Sequence, residues 1–226
     1  MSAEWQGFGD LRAALDAGRR VLLLVRHGER AKIDHDDPTF GAVIPLTEEG
    51  RRTAAAFGRE LAAYAHDVQF RASPLRRTVM TAQEIAEGMG VVAPEIVEDD
   101  AIGNGSAFFA DRLEVWRQFR SGHFFAKMTE YMTRGSVPGF AENAAATAAY
   151  ERYVLSRFTA RLGIFATHDV FLAAYLYGKG VKCDWTPENW PHFLDAAALV
   201  LPPQGPVQAH FVRMGLSDGI VGTVRA

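Results

Sequence analysis

Three short stretches of this sequence gather residues able to handle phosphate. Arg26-His27-Gly28-Glu29-Arg30 follows the apolar run Val21 to Val25, Ser73-Pro74-Leu75-Arg76-Arg77 follows Val68 to Ala72, and His168-Asp169 follows Gly163 to Thr167. Guanidinium groups are planar, permanently charged forks matched to phosphate oxygens. An imidazole among such donors can attack phosphorus and hold the phosphoryl group covalently until water cleaves it. A carboxylic acid beside it can protonate the leaving alkoxide and then deprotonate the attacking water. Gly28 leaves room for backbone close to the reacting group.

These stretches meet only if the elements before them are parallel strands ending on one side. Val21 to Val25 is short and continuously apolar, as a strand covered on both faces is. Val68 to Ala72, Glu95 to Val97 and Gly163 to Thr167 read as further strands. Pro45 to Ala65 reads as a helix capped by Thr47, with Glu48 and Glu49 in its first turn and Ala54, Phe57, Leu61 and Ala65 on one face. The helix after Val68–Ala72 takes Ser73 as N-cap and Pro74 as first helical residue. A short helix carries Leu11, Ala14 and Leu15 near the start. From Gly103 to Arg161 there is no strand pattern, only aromatic-rich helices broken near Gly122 and at "RGSVPGF". "DVFLAAYLYG" is a helix, and "DAAALVL" and "VQAHFVR" close the chain as strands, the last an antiparallel edge.

This alternation predicts an α/β fold: a three-layer α/β/α sandwich with a mostly parallel sheet and a helical insertion over its C-terminal edge. Residues 1–226 form one domain, with the insertion at about 103–161. In open α/β sheets ligands collect beyond the carboxyl ends of the strands. The three clusters converge there, joined by helix N-termini at Ser73 and near Asp169.

Composition removes other classes. Across 226 residues, 48% hydrophobic and with net charge −3, there is no basic stripe to bind nucleic acid. No run approaches the roughly 20 apolar residues of a membrane span. A single cysteine, Cys183, rules out a disulfide framework and points to a reducing, cytoplasmic setting. Nothing in the sequence sets the oligomeric state.

"LVRHGER", "LTEEGRRTAAAFGREL", "SPLRRTVMTA" and "ATHD", in that order, resemble the histidine phosphatase superfamily of phosphoglycerate-mutase-like and acid-phosphatase-like proteins. The resemblance covers Val21 to about Val97 and Gly163 to Tyr177, and is weak across the insertion. It implies that His27 is the nucleophile, that Arg26, Arg77 and His168 surround the phosphoryl group, and that no metal or cofactor is needed. In the S-P-L-x-R pattern the pocket arginine is Arg77, so Arg76 points elsewhere. The mutase-like branch carries its acid as a Glu about where Asn104 falls. The acid-phosphatase branch uses the Asp of its H-D motif, here Asp169, and a second arginine, here Arg30, although Lys32 replaces that motif's Pro. Asp169 is therefore the expected acid, with Glu29, Asp99 and Asp100 in reserve.

The function expected is hydrolysis of a phosphate monoester in a phosphorylated small molecule. The alternatives are a phosphoglycerate-type mutase, a protein phosphohistidine phosphatase, and a catalytically inactive phosphate-binding or scaffold module. Plainer readings stand beside these. Asp169 alone is an ordinary helix N-cap and Arg30 a solvated loop charge. Asp34 to Pro38 reads as an acidic loop rather than a metal site. Trp116, Phe119 and Phe124 read as insertion core and His123 as a helix start. Arg112, Arg117, Arg120 and Lys127 beside them are candidates to face the pocket and favour a large or polyanionic substrate.

Overall fold

The computed structural model describes residues 5–34, 37, 39 and 41–215. Its framework is a seven-stranded sheet. In chain order the strands are β1 (Trp5–Gln6), β2 (Arg20–Arg26), β3 (Val68–Ala72), β4 (Ile96–Glu98), β5 (Leu162–Thr167), β6 (Ala196–Leu201) and β7 (Gln208–Arg213). Across the sheet they run β1-β7-β6-β2-β5-β3-β4. β2, β5, β3 and β4 are parallel neighbours, while β6 is antiparallel to both β2 and β7. The sequence places β7 at an antiparallel edge. It is antiparallel, but the edge belongs to β1, which pairs with it in parallel. A two-residue strand is too short to show a period of two, so the sequence carries no sign of it.

The helices are α1 (Phe8–Asp16), α2 (Glu48–Glu60), α3 (Arg76–Gly88), α4 (Arg112–Arg120), α5 (Phe124–Arg134), α6 (Asn143–Arg157) and α7 (Asp169–Gly178). β2 shows how they form layers. Val21, Leu23 and Val25 pack with α1, α2 and α3, whereas Leu22 and Leu24 pack with α7 and the insertion helices. Alternate side chains of one strand leave on opposite faces, so an unbroken apolar run signals cover on both. The result is the α/β/α sandwich that the sequence implies.

The insertion has a packing reason. α7 is apolar around its whole circumference, and Val170 to Leu176 are all buried. The sheet covers one side, and α5 and α6 cover others. Removing that cover would expose side chains such as Phe171 and Leu172, each worth about 1.5–3 kcal/mol when buried. α4 and α6 start at side-chain caps, Asp111 on the amides of Leu113 and Glu114, and Glu142 on those of Ala144 and Ala145.

Register brings the strand ends level. Arg26 lies opposite Thr167, and Ala72 opposite Ala166. His27, Ser73 and His168 are therefore the first residues beyond three adjacent parallel strands. The chain turns to α2 and α3 after β2 and β3, and to α7 on the opposite face after β5. A crevice opens where connections part in this way.

Candidate active site

His27 and His168 leave neighbouring strands and meet with ring centroids 5.4 Å apart. The imidazole Nδ1 of His27 lies 2.8 Å from the carbonyl oxygen of Gly28. A carbonyl only accepts, so Nδ1 carries the proton and Nε2 keeps its lone pair. The Gly28 amide donates to Thr81 Oγ1 at 2.9 Å, and that hydroxyl donates to the Arg77 carbonyl at 2.6 Å, which ties the loop to α3. On the other side α2 holds it. The Thr47 amide donates to the Glu29 carbonyl at 3.0 Å, and Thr47 Oγ1 accepts from the Gly50 amide as N-cap. A Cβ at Gly50 would stand 2.2 Å from the Glu29 carbonyl oxygen, so only glycine allows this approach.

His168 shares a hydrogen bond between its Nε2 and Ser73 Oγ at 2.8 Å, and Ser73 Oγ lies 3.0 Å from Thr78 Oγ1. The sequence assigns Ser73 to the N-cap of α3 and Pro74 to its first turn. Leu75 is the N-cap instead, and the helix begins at Arg76. The Ser73 hydroxyl is occupied in fixing the His168 ring, so it is not free to cap.

Arg77 and Arg30 line the cleft with both histidines, while Arg76 is exposed, as the motif spacing requires. The Arg77 guanidinium donates to the Gly41 carbonyl at 2.6 Å, and that of Arg30 to the Ala31 carbonyl at 2.9 Å. Arg26 does not line the cleft. It donates to the Pro191 carbonyl, packs over the Phe193 ring with its central carbon 4.3 Å from the centroid, and pairs with Asp169 Oδ2 at 3.2 Å. The same Asp169 oxygen accepts from Trp190 Nε1 at 3.1 Å. His168 holds the N-cap position of α7 without a side-chain cap, and Asp169, the first helical residue, accepts from the Val170 amide at Oδ1 (2.9 Å), so it also has the helix-start role that the sequence offers.

The electrostatics are those of a site built for an anion. Arg26, Arg30 and Arg77 are 3%, 8% and 5% exposed, and the Nε of each is buried without a hydrogen-bond partner among the described residues. Burial, reinforced by the neighbouring guanidiniums, pushes Arg77 down to about 9 and Arg30 to about 10. Burial, then Arg77, holds His27 well below its ordinary 6.5, and the same two causes depress His168. Both imidazoles are neutral near neutral pH. The arrangement can bind a dianion on fixed cations and present a nucleophilic nitrogen to it.

The reserve acids do not enter the cleft. Glu29 accepts from Thr47 Oγ1 at 2.8 Å. Asp99 is buried against Arg71 and the Tyr153 hydroxyl, and Asp100 pairs with Arg112. Their sequence positions bring them near β2 and β4, but local partners take their carboxylates. Of the insertion cations only Arg120 lines the cleft; Arg112, Arg117 and Lys127 are paired with Asp100, Glu114 and Glu130. Trp116, Phe119 and Phe124 line it too, and so are more than insertion core. His123 is a helix start, the N-cap of α5. Asp34 also lines the cleft, while His35, Asp36 and Pro38 of the acidic loop lie outside the described residues. Among the described residues no group of three or more His, Cys, Asp or Glu is placed to hold a metal ion. No described helix is long and apolar enough to cross a membrane.

Sequence reasoning missed the 190–195 segment that enters β6. Trp190 holds Asp169, Pro191 holds Arg26, and Phe193 packs on both Arg26 and His27. Buried Asp195 anchors it, accepting from the amides of His192 and Met214 and pairing with Arg213 at 3.0 Å. The segment has no periodicity, and its partners at the nucleophile, Arg26 and His27, are more than a hundred residues away, so nothing local marks it.

Comparison with known proteins agrees with this geometry. Residues 22–102 match the model of the histidine phosphatase superfamily (branch 1). Among solved structures, phosphoglycerate mutase from Bacillus anthracis str. Sterne is 13% identical, with 88% of this chain and 95% of that one covered at a TM-score of 0.57. A phosphoserine phosphatase mutant from Entamoeba histolytica, solved with phosphoserine, is 15% identical over 87% and 98% at 0.54. YhfR of Bacillus stearothermophilus is 17% identical over 84% and 95% at 0.55. No curated protein sequence matches the chain. At these identities the structures establish a shared fold, and residues 22–102 carry the sequence signature of the histidine phosphatase superfamily (branch 1).

Proposed function

We propose that this protein is a phosphohydrolase that cleaves a phosphate monoester of a small molecule through a covalent phosphohistidine on His27. The observation that carries the reading is His27 itself: a buried, neutral imidazole, its proton fixed on Nδ1 by Gly28, in a cleft with the buried guanidiniums of Arg30 and Arg77. Nε2 attacks phosphorus as the bond to the ester oxygen breaks. Arg77, Arg30 and His168 hold the phosphoryl oxygens, and Arg26 shares its charge between them and Asp169. Asp169 gives a proton to the leaving alkoxide. Water then attacks phosphorus, Asp169 takes a proton from it, the N–P bond breaks, and inorganic phosphate leaves with His27 restored.

Three features support hydrolysis over the neighbouring reactions. Asn104 lines the cleft and falls in the sequence about where the mutase-like branch carries an acidic Glu, and a carboxamide cannot serve as a general acid. Insertion side chains wall the cleft, which suits a small molecule better than a histidine on a protein surface. The intact set of His27, His168, Arg77 and Arg30 argues against an inactive binding module. One exposed cysteine, Cys183, suits a reducing compartment, and we read the setting as the cytoplasm.

The test is turnover of 4-nitrophenyl phosphate with EDTA present, combined with trapping of the enzyme labelled from a radioactive phosphate ester by quenching in alkaline detergent. An acid-labile, base-stable phosphoryl adduct that vanishes in His27→Ala, together with a loss of at least about 10³-fold in kcat/KM, is expected. Full activity in His27→Ala would refute the covalent route.

A further inference from the structure

The alcohol part of the ester must lie against the cleft beyond the phosphoryl group, where one side is aromatic and Lys32, Asp34, Thr39, Asn104 and Arg120 also line it. From His168 outward the rings form a continuous chain. Centroids are 6.0 Å apart from His168 to Phe171, 5.0 Å from Phe171 to Phe109, 6.4 Å from Phe109 to Phe119 and 4.8 Å from Phe119 to Phe124. All of these rings line the same cleft as His27, as does the indole of Trp116. Phe109, Trp116 and Phe124 are only half-buried, so part of their ring surface remains to be covered.

The polar groups of the cleft nearest the histidines are occupied in phosphoryl binding and proton transfer. On the ring side, a sugar, glycerate or amino acid would set hydroxyl or carboxylate groups against ring faces, and polar groups buried without partners are costly. A flat apolar group would instead gain edge and face contact with rings already held in place by the core. We propose that the preferred substrate is the phosphate monoester of an aromatic or similarly flat, apolar alcohol, and that the ring chain from Phe171 to Phe124, with Trp116, selects it. This inference rests on the phosphohydrolase reading above.

The test compares 2-phenylethyl phosphate with ethyl phosphate. Both release a primary alcohol of similar acidity, so leaving-group chemistry cancels and the phenyl ring is the difference. A kcat/KM ratio of at least about tenfold in favour of the phenylethyl ester is expected, since even a single methylene in an apolar pocket reaches that range. Trp116→Ala and, separately, Phe124→Ala should bring the ratio toward one, chiefly through KM. Turnover of both esters at similar efficiency would overturn the inference and leave the hydrolase reading standing. A high ratio unchanged in both variants would overturn the ring chain as its source. Acetyl phosphate, activated but not aromatic, is the control for the underlying reading: no turnover of it or of either ester would mean that hydrolysis itself fails, and the inference with it.

Discussion

The imidazole of His27 donates its Nδ1 proton to the carbonyl of the next residue, Gly28, at 2.8 Å. A strand that ends by folding a histidine onto its own backbone fixes the tautomer with no help from a distant acid. It also fixes the ring, because Gly28 is held by Thr81 of α3 and the adjoining Glu29 by Thr47 at the start of α2.

Acid should weaken the folded protein in a defined window. The folded pKa values of His27 and His168 are depressed below 6.5, so as pH falls below 6.5 the unfolded chain binds protons that the native state refuses. Each then lowers stability by about 1.4 kcal/mol per pH unit. Asp195 acts in the opposite sense. Burial pushes it up to about 6, so its protonated form favours the native state, and the slope below pH 6 is partly offset. Urea unfolding at about pH 7.5, 6.3 and 5 should show stability falling with acid below 6.5, at about 1.4 kcal/mol per unit once both unfolded histidines are protonated and Asp195 offsets one of them. Stability that is flat or rises with acid would contradict neutral, buried imidazoles.

Inorganic phosphate or vanadate should stabilise the protein strongly, because an anion relieves the two buried guanidiniums that line the cleft, Arg30 and Arg77. At a hundred times Kd the gain is about 2.7 kcal/mol, read as a rise in Tm. Arg77→Met keeps the length of the side chain and removes its charge, and should reduce that response by more than half. An undiminished shift would place the anion elsewhere.

Asp169→Asn separates proton donation from binding. With ethyl phosphate, whose leaving alkoxide needs a proton, kcat should fall about 10²–10³-fold. With 4-nitrophenyl phosphate, whose phenolate leaves unaided, the loss should be smaller by at least tenfold. Equal losses on the two substrates would assign Asp169 to positioning Arg26 rather than to acid catalysis.

Gly50→Ala tests the contact between α2 and the His27 loop. The added Cβ would meet the Glu29 carbonyl oxygen at 2.2 Å, so backbone must move. A loss of about 2–3 kcal/mol is expected, with lower kcat from a displaced His27. Wild-type stability and rate in this variant would show the loop to be free of α2.

Sequence alone determined the parts whose signal is local. Val21 to Val25 had to be a strand covered on both faces, because its apolar side chains leave in opposite directions. Thr47 had to start α2, because a hydroxyl followed by two acids satisfies a helix N-terminus. Parallel strands ending in His27, Ser73 and His168 had to bring those residues to one edge. The tertiary structure decided what depends on distant partners. It turned Ser73 from a cap into the support of His168, drew Arg26 out of the cleft wall to Asp169, and gave Glu29, Asp99 and Asp100 other partners. It also set Trp190, Phe193 and the insertion rings around the site. Periodicity and capping are properties of neighbours along the chain, and a single sequence shows them. Which carboxylate meets which guanidinium is settled by packing between elements far apart in the chain, and no local pattern encodes it.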